Sequence, residues 1–317
     1  MLDLAAIQSA AERIGDRVHR TPLMPSAQFG ERLGVTLLHK CENFQKTGSF
    51  KARGALNALS QLHGAARDRG VVTVSAGNHA QALAWAARAA GVRCTVVMPV
   101  AASPTKVAAS HGYGANVVLH GASGMEAFAH AHELARANNL TFIHPFDDEL
   151  IAAGQGTAGV ELVSQAGRVD VVVVPVGGGG LIAGVAVAVK RLAPKARVYG
   201  VEPTGASSMR QSVDAGRPVR LDTVKTVADG LAAPMAGELN YEIVRQYVDD
   251  IIVIDDEVIL RGLREMLTFT KLFVEPAGAA GTAALLAGRI PISPGERVVS
   301  IVSGGNYDLE KLKAVLG

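Results

Sequence analysis

The chain has 317 residues, 49% of them hydrophobic and 19% charged, which suits one large globular unit or two lobes and argues against a disordered chain. Its 31 basic and 29 acidic residues are mixed along the sequence and leave a formal net charge of +2, so neither nucleic acid nor an anionic membrane is an expected partner. Cys41 and Cys94 are too few for a disulfide framework and lack zinc-site spacing. We expect reduced thiols, a cytoplasmic location and a small-molecule partner.

The N-terminal stretch, residues 1–18, is predicted to form a surface helix. Asp3, Glu12 and Arg13 recur there on a helical period. A secretory signal would instead have a continuous apolar centre. We therefore interpret this stretch as part of the folded chain.

Lys51 lies in the segment KCENFQKTGSFKARGALNAL, residues 40–59. Thr47 or Ser49 could cap a helix that begins near Phe50, which would place Lys51 in the first turn. The positive end of a helix disfavours a further positive charge, so the pKa of Lys51 should be lowered and its nucleophilicity raised. An ordinary solvated lysine remains the alternative, and composition alone favours it.

A polar turn is predicted in VVTVSAGNHAQALAWAA, residues 71–87, between a strand that ends at Ser75 and a helix that starts near His79. Ser75, Gly77 and Asn78 can offer N–H groups and a hydroxyl to a carboxylate, and an amide to a ring oxygen. A simple helix cap is an equal alternative. We interpret His79 as structural rather than as a base.

Seven short β-branched runs alternate with Ala-rich stretches that are typical of helices. The runs cover residues 71–75, 93–99, 115–121, 170–176, 197–203, 250–255 and 297–303. This alternation predicts an α/β fold with parallel-rich sheets flanked by helices. Several runs are apolar throughout, as expected of strands covered on both faces.

The uncharged stretch 171–189 is long enough to be scored as a membrane span. Pro175 and a run of four glycines interrupt it, so we predict a buried strand, a turn and a buried helix. The glycines are Gly177, Gly178, Gly179 and Gly180. Backbone N–H groups at the start of a helix suit a phosphate.

The same loop also fits a dinucleotide fingerprint. Gly178, Gly180 and Ala183 are in G-x-G-x-x-A register, and Glu202 ends the next strand. The loop alone therefore leaves open a phosphate cup for another cofactor, a nicotinamide site and a plain tight turn.

A third candidate turn closes the run RVVSIVSGGNYDLE, residues 297–310, where a buried strand ends in SGGN (303–306). Ligand sites in open α/β sheets are built at such strand ends. An ordinary turn between a strand and a helix would look similar.

These segments together resemble the fold-type II pyridoxal-phosphate enzymes, specifically the serine and threonine dehydratases and serine racemases. The similarity runs from RTPL (20–23) to SGGN and keeps the order SFK, SAGNHAQA, AGQGT, GGGGLIAG, VEP and SGGN. That order is specific, and it displaces the nicotinamide interpretation. The resemblance implies a two-lobed fold like the tryptophan synthase β subunit, with residues 70–147 as a small domain inserted into a large cofactor-binding domain of residues 1–69 and 148–317.

The resemblance also assigns roles to individual residues. Lys51 matches the Schiff-base lysine, and Gly177 to Gly180 match the phosphate cup. The other implied cofactor contacts are Phe50, Asn78 at the phenolic oxygen, Glu275 near the ring and Ser303 at the pyridine nitrogen. The implied substrate contacts are Ser75, Ala76, Gly77, Asn78, His79 and Phe146.

Two positions favour a dehydratase over a racemase. Racemases of this group have a second serine as the acid/base on the other face of the α-carbon, whereas this chain has Ala76. Phe146 replaces a small polar residue of the racemase pattern. A neutral hydroxyl at Ser303 also favours the protonated ring much less than a carboxylate would, which favours elimination over transamination.

The predicted reaction is therefore elimination of water from L-threonine or L-serine, giving a 2-oxo acid and ammonia. The alternatives are a serine racemase or a dehydratase of 3-hydroxyaspartate or another β-hydroxy amino acid, and, less favoured, a nicotinamide-dependent oxidoreductase or a non-enzymatic pyridoxal-phosphate carrier. The family's divalent-cation site stays unassigned, because Ser208 replaces the usual aspartate after Glu202 and Ala206. The resemblance further implies a homodimer without a regulatory domain.

Overall fold

The structure is a computed structural model that describes residues 2–316. Its strands are β1 (Leu23–Pro25), β2 (Thr36–Cys41), β3 (Val71–Val74), β4 (Cys94–Met98), β5 (Asn116–Leu119), β6 (Thr141–Phe142), β7 (Val171–Pro175), β8 (Arg197–Pro203), β9 (Asp250–Ile254) and β10 (Arg297–Val302). Its helices are α1 (Leu4–Ile14), α2 (Ala27–Leu33), α3 (Lys51–Ser60), α4 (Gly64–Arg69), α5 (Asn78–Ala90), α6 (Pro104–Gly112), α7 (Gly124–Ala137), α8 (Glu149–Ala166), α9 (Gly180–Leu192), α10 (Ser208–Ala215), α11 (Glu238–Tyr247), α12 (Asp256–Glu265), α13 (Pro276–Leu286) and α14 (Leu309–Leu316).

The large sheet has the strand order β1-β2-β10-β7-β8-β9. Only the β1–β2 pair is antiparallel; the other pairs are parallel. Every residue of the central β7 is buried. Val171 and Val173 pack in the core that contains α13, whereas Val172 and Val174 pack in the core that contains α9. Helices on both faces therefore explain why this strand is apolar throughout.

The small sheet has the order β5-β4-β3-β6, and all of its pairs are parallel. Alternate residues of β3 again face two cores. Val71 packs with the alanines of α5, and Val72 packs with Ala127 and Ala131 of α7. All strands of this sheet fall within residues 71–142. The domain limits at residues 70 and 147 stay a prediction.

The parallel α/β architecture predicted from the sequence is confirmed, and all seven predicted strands are present as β3, β4, β5, β7, β8, β9 and β10. The sequence did not indicate β1, β2 or β6. Two of these are very short, and β2 carries the buried polar side chains of His39 and Lys40, which hide its strand pattern.

The predicted N-terminal helix is α1, capped by the Asp3 carboxylate, which accepts the N–H of Ala6 at 2.8 Å. Stretch 171–189 forms β7, the glycine turn and most of α9, as predicted. Among the described residues, no helix has the length and apolar character needed to cross a bilayer. Cys41 and Cys94 are both buried and free.

Helix α3, which begins at Lys51, packs closely against α8. Gly54 and Gly154 allow the two backbones to touch, since a Cβ on Gly154 would lie 2.5 Å from the Cα of Gly54. The fully buried Arg53 donates to Glu42 Oε2 and to Glu161 Oε1, each at 2.7 Å. A helix held by this backbone contact and these ion pairs gives Lys51 a defined position.

Candidate active site

A cavity of about 680 Å³ lies at the carboxyl ends of β3, β7 and β10. Its volume is typical of small-molecule sites. All of the residues predicted for the site line it: Phe50, Lys51, Ser75, Ala76, Gly77, Asn78, His79, Phe146, Gly177, Gly178, Gly179, Gly180, Glu275 and Ser303. The fold thus brings together segments that are far apart in sequence, while the role of each residue stays a prediction.

Lys51 is the first residue of α3, and its amine donates to the Pro145 carbonyl oxygen at 2.8 Å. The amine lies 5.2 Å from the centre of the Phe50 ring. Burial lowers the pKa of Lys51 to about 8, so a substantial fraction of the amine is neutral near physiological pH. The sequence predicted the direction of this shift, and burial is its largest cause.

The prediction that Thr47 or Ser49 caps α3 is wrong. Phe50 is the N-cap residue and provides no side-chain bond, and both hydroxyl oxygens are buried without a partner among the described residues. Ser49 has an extended backbone and forms an isolated bridge with Gly304, which directs it away from the helix end.

This bridge joins two of the motifs directly. The N–H of Phe50 donates to the Ser303 carbonyl at 3.1 Å, and the N–H of Gly305 donates to the Gly48 carbonyl at 2.9 Å. The Ser303 side chain, which is 3% exposed, is thereby placed beside the start of α3. Antiparallel bonding between residues 48–50 and 303–305 therefore sets the distance between the lysine and the serine.

The glycine loop opens at the N-terminus of α9, whose first N–H groups have no partner within the helix. Gly179 has a φ of +93°, a conformation that side chains rarely adopt. A Cβ on Gly178 would lie 2.4 Å from the Phe146 ring. The loop thus needs glycine for its shape and offers N–H groups and a helix end that suit a phosphate.

Asn78 takes part in a chain of hydrogen bonds that the sequence did not indicate. Its Nδ2 donates to Glu275 Oε1 at 2.6 Å, and its Oδ1 accepts from Asn306 Nδ2 at 2.9 Å. Asn306 also donates to the Thr47 carbonyl at 2.7 Å. Burial raises the pKa of Glu275 to about 7, against the opposing effect of the bond from Asn78. Asn306 is the last residue of SGGN, so the motif contained the only signal for it.

The loop at residues 75–78, on the small-sheet side of the cavity, is more exposed to solvent. Ser75 Oγ accepts the N–H of Gly77 at 3.1 Å, and Ser75, Ala76, Gly77 and Asn78 are all half-buried. His79 is buried, and burial, followed by the nearby charge of Lys51, holds its pKa well below the usual range. A neutral His79 agrees with a structural role.

The rim of the cavity contains an ion-pair cluster that sequence reasoning missed. Asp229 Oδ2 lies 3.0 Å from Lys106 Nζ and 3.1 Å from Lys311 Nζ. The three residues belong to α6, the segment before α11, and α14. No motif links them, so only the fold could show that they meet.

The Glu202 side chain is hydrogen-bonded to backbone N–H groups. Its carboxylate accepts the N–H groups of Met209 at 2.9 Å and Arg210 at 2.8 Å, at the start of α10. Burial raises its pKa to about 8. In the part of the chain that the structure describes, no group of three or more His, Cys, Asp or Glu side chains could hold a metal ion.

The cavity residues fit pyridoxal phosphate. A half-buried lysine amine with a lowered pKa can react with the aldehyde, and the glycine loop can receive the phosphate without side chains in the way. Asn78, Glu275 and Ser303 provide polar groups for the ring substituents.

The sequence matches the family described as pyridoxal-phosphate dependent enzyme over residues 14–304. The L-threonine ammonia-lyase of Geobacter sulfurreducens is 43% identical over 316 residues, which cover 100% of this chain and 78% of that protein. The catabolic L-threonine dehydratase of Escherichia coli K12 is 41% identical, with coverage of 98% and 95%. The solved structure of maize serine racemase superposes with a TM-score of 0.94 at 38% identity and covers 99% of this chain and 97% of its own.

Proposed function

The chain belongs to the pyridoxal-phosphate-dependent enzymes, and from this membership we propose that it is an ammonia-lyase that removes water from L-threonine or L-serine. The products are a 2-oxo acid and ammonia. The observation that carries this proposal is the convergence of Lys51, the glycine loop and Ser303 on a single cavity in which the residue after Ser75 is an alanine.

Pyridoxal phosphate, when bound, supplies a conjugated ring that takes up the negative charge left on the α-carbon after proton removal. Gly177 to Gly180 would hold its phosphate through N–H groups at the start of α9. The Lys51 amine would hold the cofactor at its aldehyde carbon. Phe50, Asn78, Glu275 and Ser303 line the cavity and would surround its ring.

Lys51 is the proposed base. Once released by the substrate, its neutral amine accepts the α-proton, a step for which a positioned base supplies about 10²- to 10⁴-fold in rate. The lowered pKa keeps the neutral form available near pH 8. The hydroxyl of Ser303 carries no charge, so it does not hold the ring nitrogen in a protonated state as a carboxylate would.

The substrate lies on the small-sheet side. Ser75, Ala76, Gly77, Asn78 and His79 receive the α-carboxylate, mainly through N–H groups of the loop. Phe146 lies against the glycine loop and limits the space for the β-substituent. Ala76 provides no hydroxyl for the second face of the α-carbon, which supports elimination over racemisation.

The test is 2-oxo acid release by the purified, cofactor-loaded protein from L-threonine, L-serine, threo-3-hydroxyaspartate and D-serine, with chiral analysis of the remaining substrate. Release from L-threonine or L-serine at a rate well above racemisation is the expected result. Racemisation at a comparable rate, or a yellow protein with no turnover of any of these compounds, would overturn the proposal.

We further propose a cytoplasmic homodimer in which residues 70–147 form a small domain. The similarity to an L-threonine ammonia-lyase and a catabolic L-threonine dehydratase supports a role in amino-acid metabolism. Sedimentation velocity of the loaded protein is expected to give twice the chain mass of 32.9 kDa. A single species at the chain mass would contradict the dimer.

A further inference from the structure

The turn at residues 144–148, which follows β6, contacts both Lys51 and the glycine loop. The Pro145 carbonyl accepts the bond from Lys51 Nζ at 2.8 Å. A Cβ on Gly178 would lie only 2.4 Å from the Phe146 ring. The proposed function uses Lys51 and Phe146 but gives no part to His144, the first residue of this turn.

His144 organises the turn through one ring nitrogen. Its Nδ1 lies 3.2 Å from the N of Phe146 and 2.7 Å from the N of Asp147, so both N–H groups can donate to it. A nitrogen that accepts two N–H groups must be unprotonated, which assigns the ring proton of the neutral form to Nε2. The structure of the turn therefore requires a neutral His144.

The surroundings keep this ring neutral. Burial lowers the pKa of His144 to about 4, with the charge of Asp147 acting in the opposite direction. The ring packs edge-on against Phe146, with 4.6 Å between the centres. The titratable groups that face His144 and Lys51 are His79, His132, Asp147 and Asp148.

The far side of the turn is fixed as well. The Asp147 carboxylate accepts the N–H groups of Glu238 at 2.9 Å and Leu239 at 3.1 Å, at the start of α11. Asn240 Nδ2 donates to the Phe146 carbonyl at 3.0 Å and to the Gly178 carbonyl at 2.9 Å. Between these anchors, the Pro145 carbonyl is left to bond Lys51.

We propose that His144 is a positioning residue for Lys51, because its Nδ1 fixes the turn that presents the Pro145 carbonyl to the released lysine amine. A carbonyl acceptor at 2.8 Å restricts rotation of the amine and directs its remaining hydrogens and lone pair towards the cavity. The bond also favours the charged form of Lys51 over the neutral one. This inference rests on the proposed function, in which the same amine moves the α-proton.

The test measures Lys51 directly. In the full-length protein freed of cofactor, competitive acetylation followed by mass spectrometry of the Lys51 peptide gives the pH midpoint at which the amine becomes reactive. The kcat and KM of the loaded protein for L-threonine are measured in parallel. The variants are His144→Phe, which keeps a ring but has no acceptor, and His144→Asn, whose Oδ1 can replace Nδ1.

For His144→Phe we expect the midpoint to fall by about half a pH unit or more, because the bond that favours the ammonium is weakened. We expect kcat to fall about tenfold with little change in KM, since the loss is one of orientation. His144→Asn should restore both values. His132→Phe is the matched control, because His132 stacks on Phe142 at 4.1 Å in the same aromatic cluster and should leave both unchanged.

The inference is overturned if His144→Phe keeps the normal midpoint, if a folded His144→Asn behaves like His144→Phe, or if His132→Phe shifts the midpoint equally. If circular dichroism shows that His144→Phe does not fold, His144→Leu takes its place with the same expected shift. Absence of 2-oxo acid release by the unchanged protein would refute the proposed function alone. The acetylation midpoints would still decide whether His144 acts on Lys51.

Discussion

The large-sheet side of the cavity is buried and held by backbone bonds, whereas the small-sheet side is half-exposed. All residues of β7 are buried and Ser303 is 3% exposed. The loop from Ser75 to Asn78 is half-buried. A cofactor that stays bound suits the first side, and a substrate that enters and leaves at each turnover suits the second.

The sharpest test of the large-sheet side is Lys51→Ala. We expect 2-oxo acid release to fall by about 10⁴-fold or more, because the variant lacks the residue that we propose as both cofactor anchor and base. The visible absorption of the bound cofactor should also change. Lys46→Ala is the control, since Lys46 lies in the same segment but does not line the cavity. An unchanged spectrum in Lys51→Ala would show that another residue holds the cofactor.

The buried ion pairs of Arg53 that hold α3 should give the next largest effect, which is a loss of stability. Replacing Arg53 by methionine leaves the buried Glu42 without its cation, which should lower the free energy of unfolding by about 3–5 kcal/mol. Arg168→Met removes an exposed pair with Asp170 and should cost about 1 kcal/mol or less. Denaturant titration of both variants measures the difference. Equal losses would mean that the buried pair of Arg53 and Glu42 stabilises the protein no more than the exposed pair does.

The pH dependence of turnover follows from Lys51. The proposed base is the neutral amine, so activity should be present above the lowered pKa of about 8 and should be lost as the pH falls below it. We expect kcat to drop about tenfold per pH unit on this acidic side. The measurement is kcat from pH 6 to 9, with the cofactor spectrum as a check on occupancy. A flat profile would place the base elsewhere.

The glycine loop gives a smaller effect. Gly178→Ala brings a Cβ within 2.4 Å of the Phe146 ring, and overpacking of this kind costs about 1–3 kcal/mol. Cofactor affinity should fall about tenfold, which equilibrium dialysis can measure. Gly124→Ala, with no atom within 4 Å of its new Cβ, should bind normally. Normal affinity in Gly178→Ala would mean that Phe146 yields and the loop is less rigid than proposed.

A substitution in the loop on the small-sheet side should have the smallest effect on turnover. Ala76→Ser adds a hydroxyl to the substrate loop, and we expect slow racemisation of L-serine to appear while 2-oxo acid release changes by less than about tenfold. Chiral chromatography measures the first rate and 2-oxo acid assay the second. Ala76→Gly, which adds no hydroxyl, is the control. Equal racemisation by both variants would mean that a hydroxyl at position 76 does not decide between elimination and racemisation.

The sequence indicated more of the cofactor side than of the substrate side. Apolar runs predicted the buried parallel strands, because a strand covered on both faces must be apolar at every position. The ordered motifs also named many of the residues that line the cavity, although not the ion-pair cluster at its rim. The strand β2 was missed because its buried His39 and Lys40 depend on partners elsewhere in the chain.

The sequence by itself determined the α/β pattern and the position of the glycine loop, since each depends on neighbours within one segment. The interpretation of Lys51 as the cofactor lysine came from the order of the motifs along the whole chain. Only the tertiary structure decided that residues 48–50 bond to residues 303–305, that the Pro145 carbonyl meets Lys51, and that Asp229 joins two lysines at the rim. The shortest of these separations is 82 residues, between Asp229 and Lys311. The longest is 257 residues, between Gly48 and Gly305. Local periodicity carries no information about such partners, because the packing of whole helices and sheets brings them together.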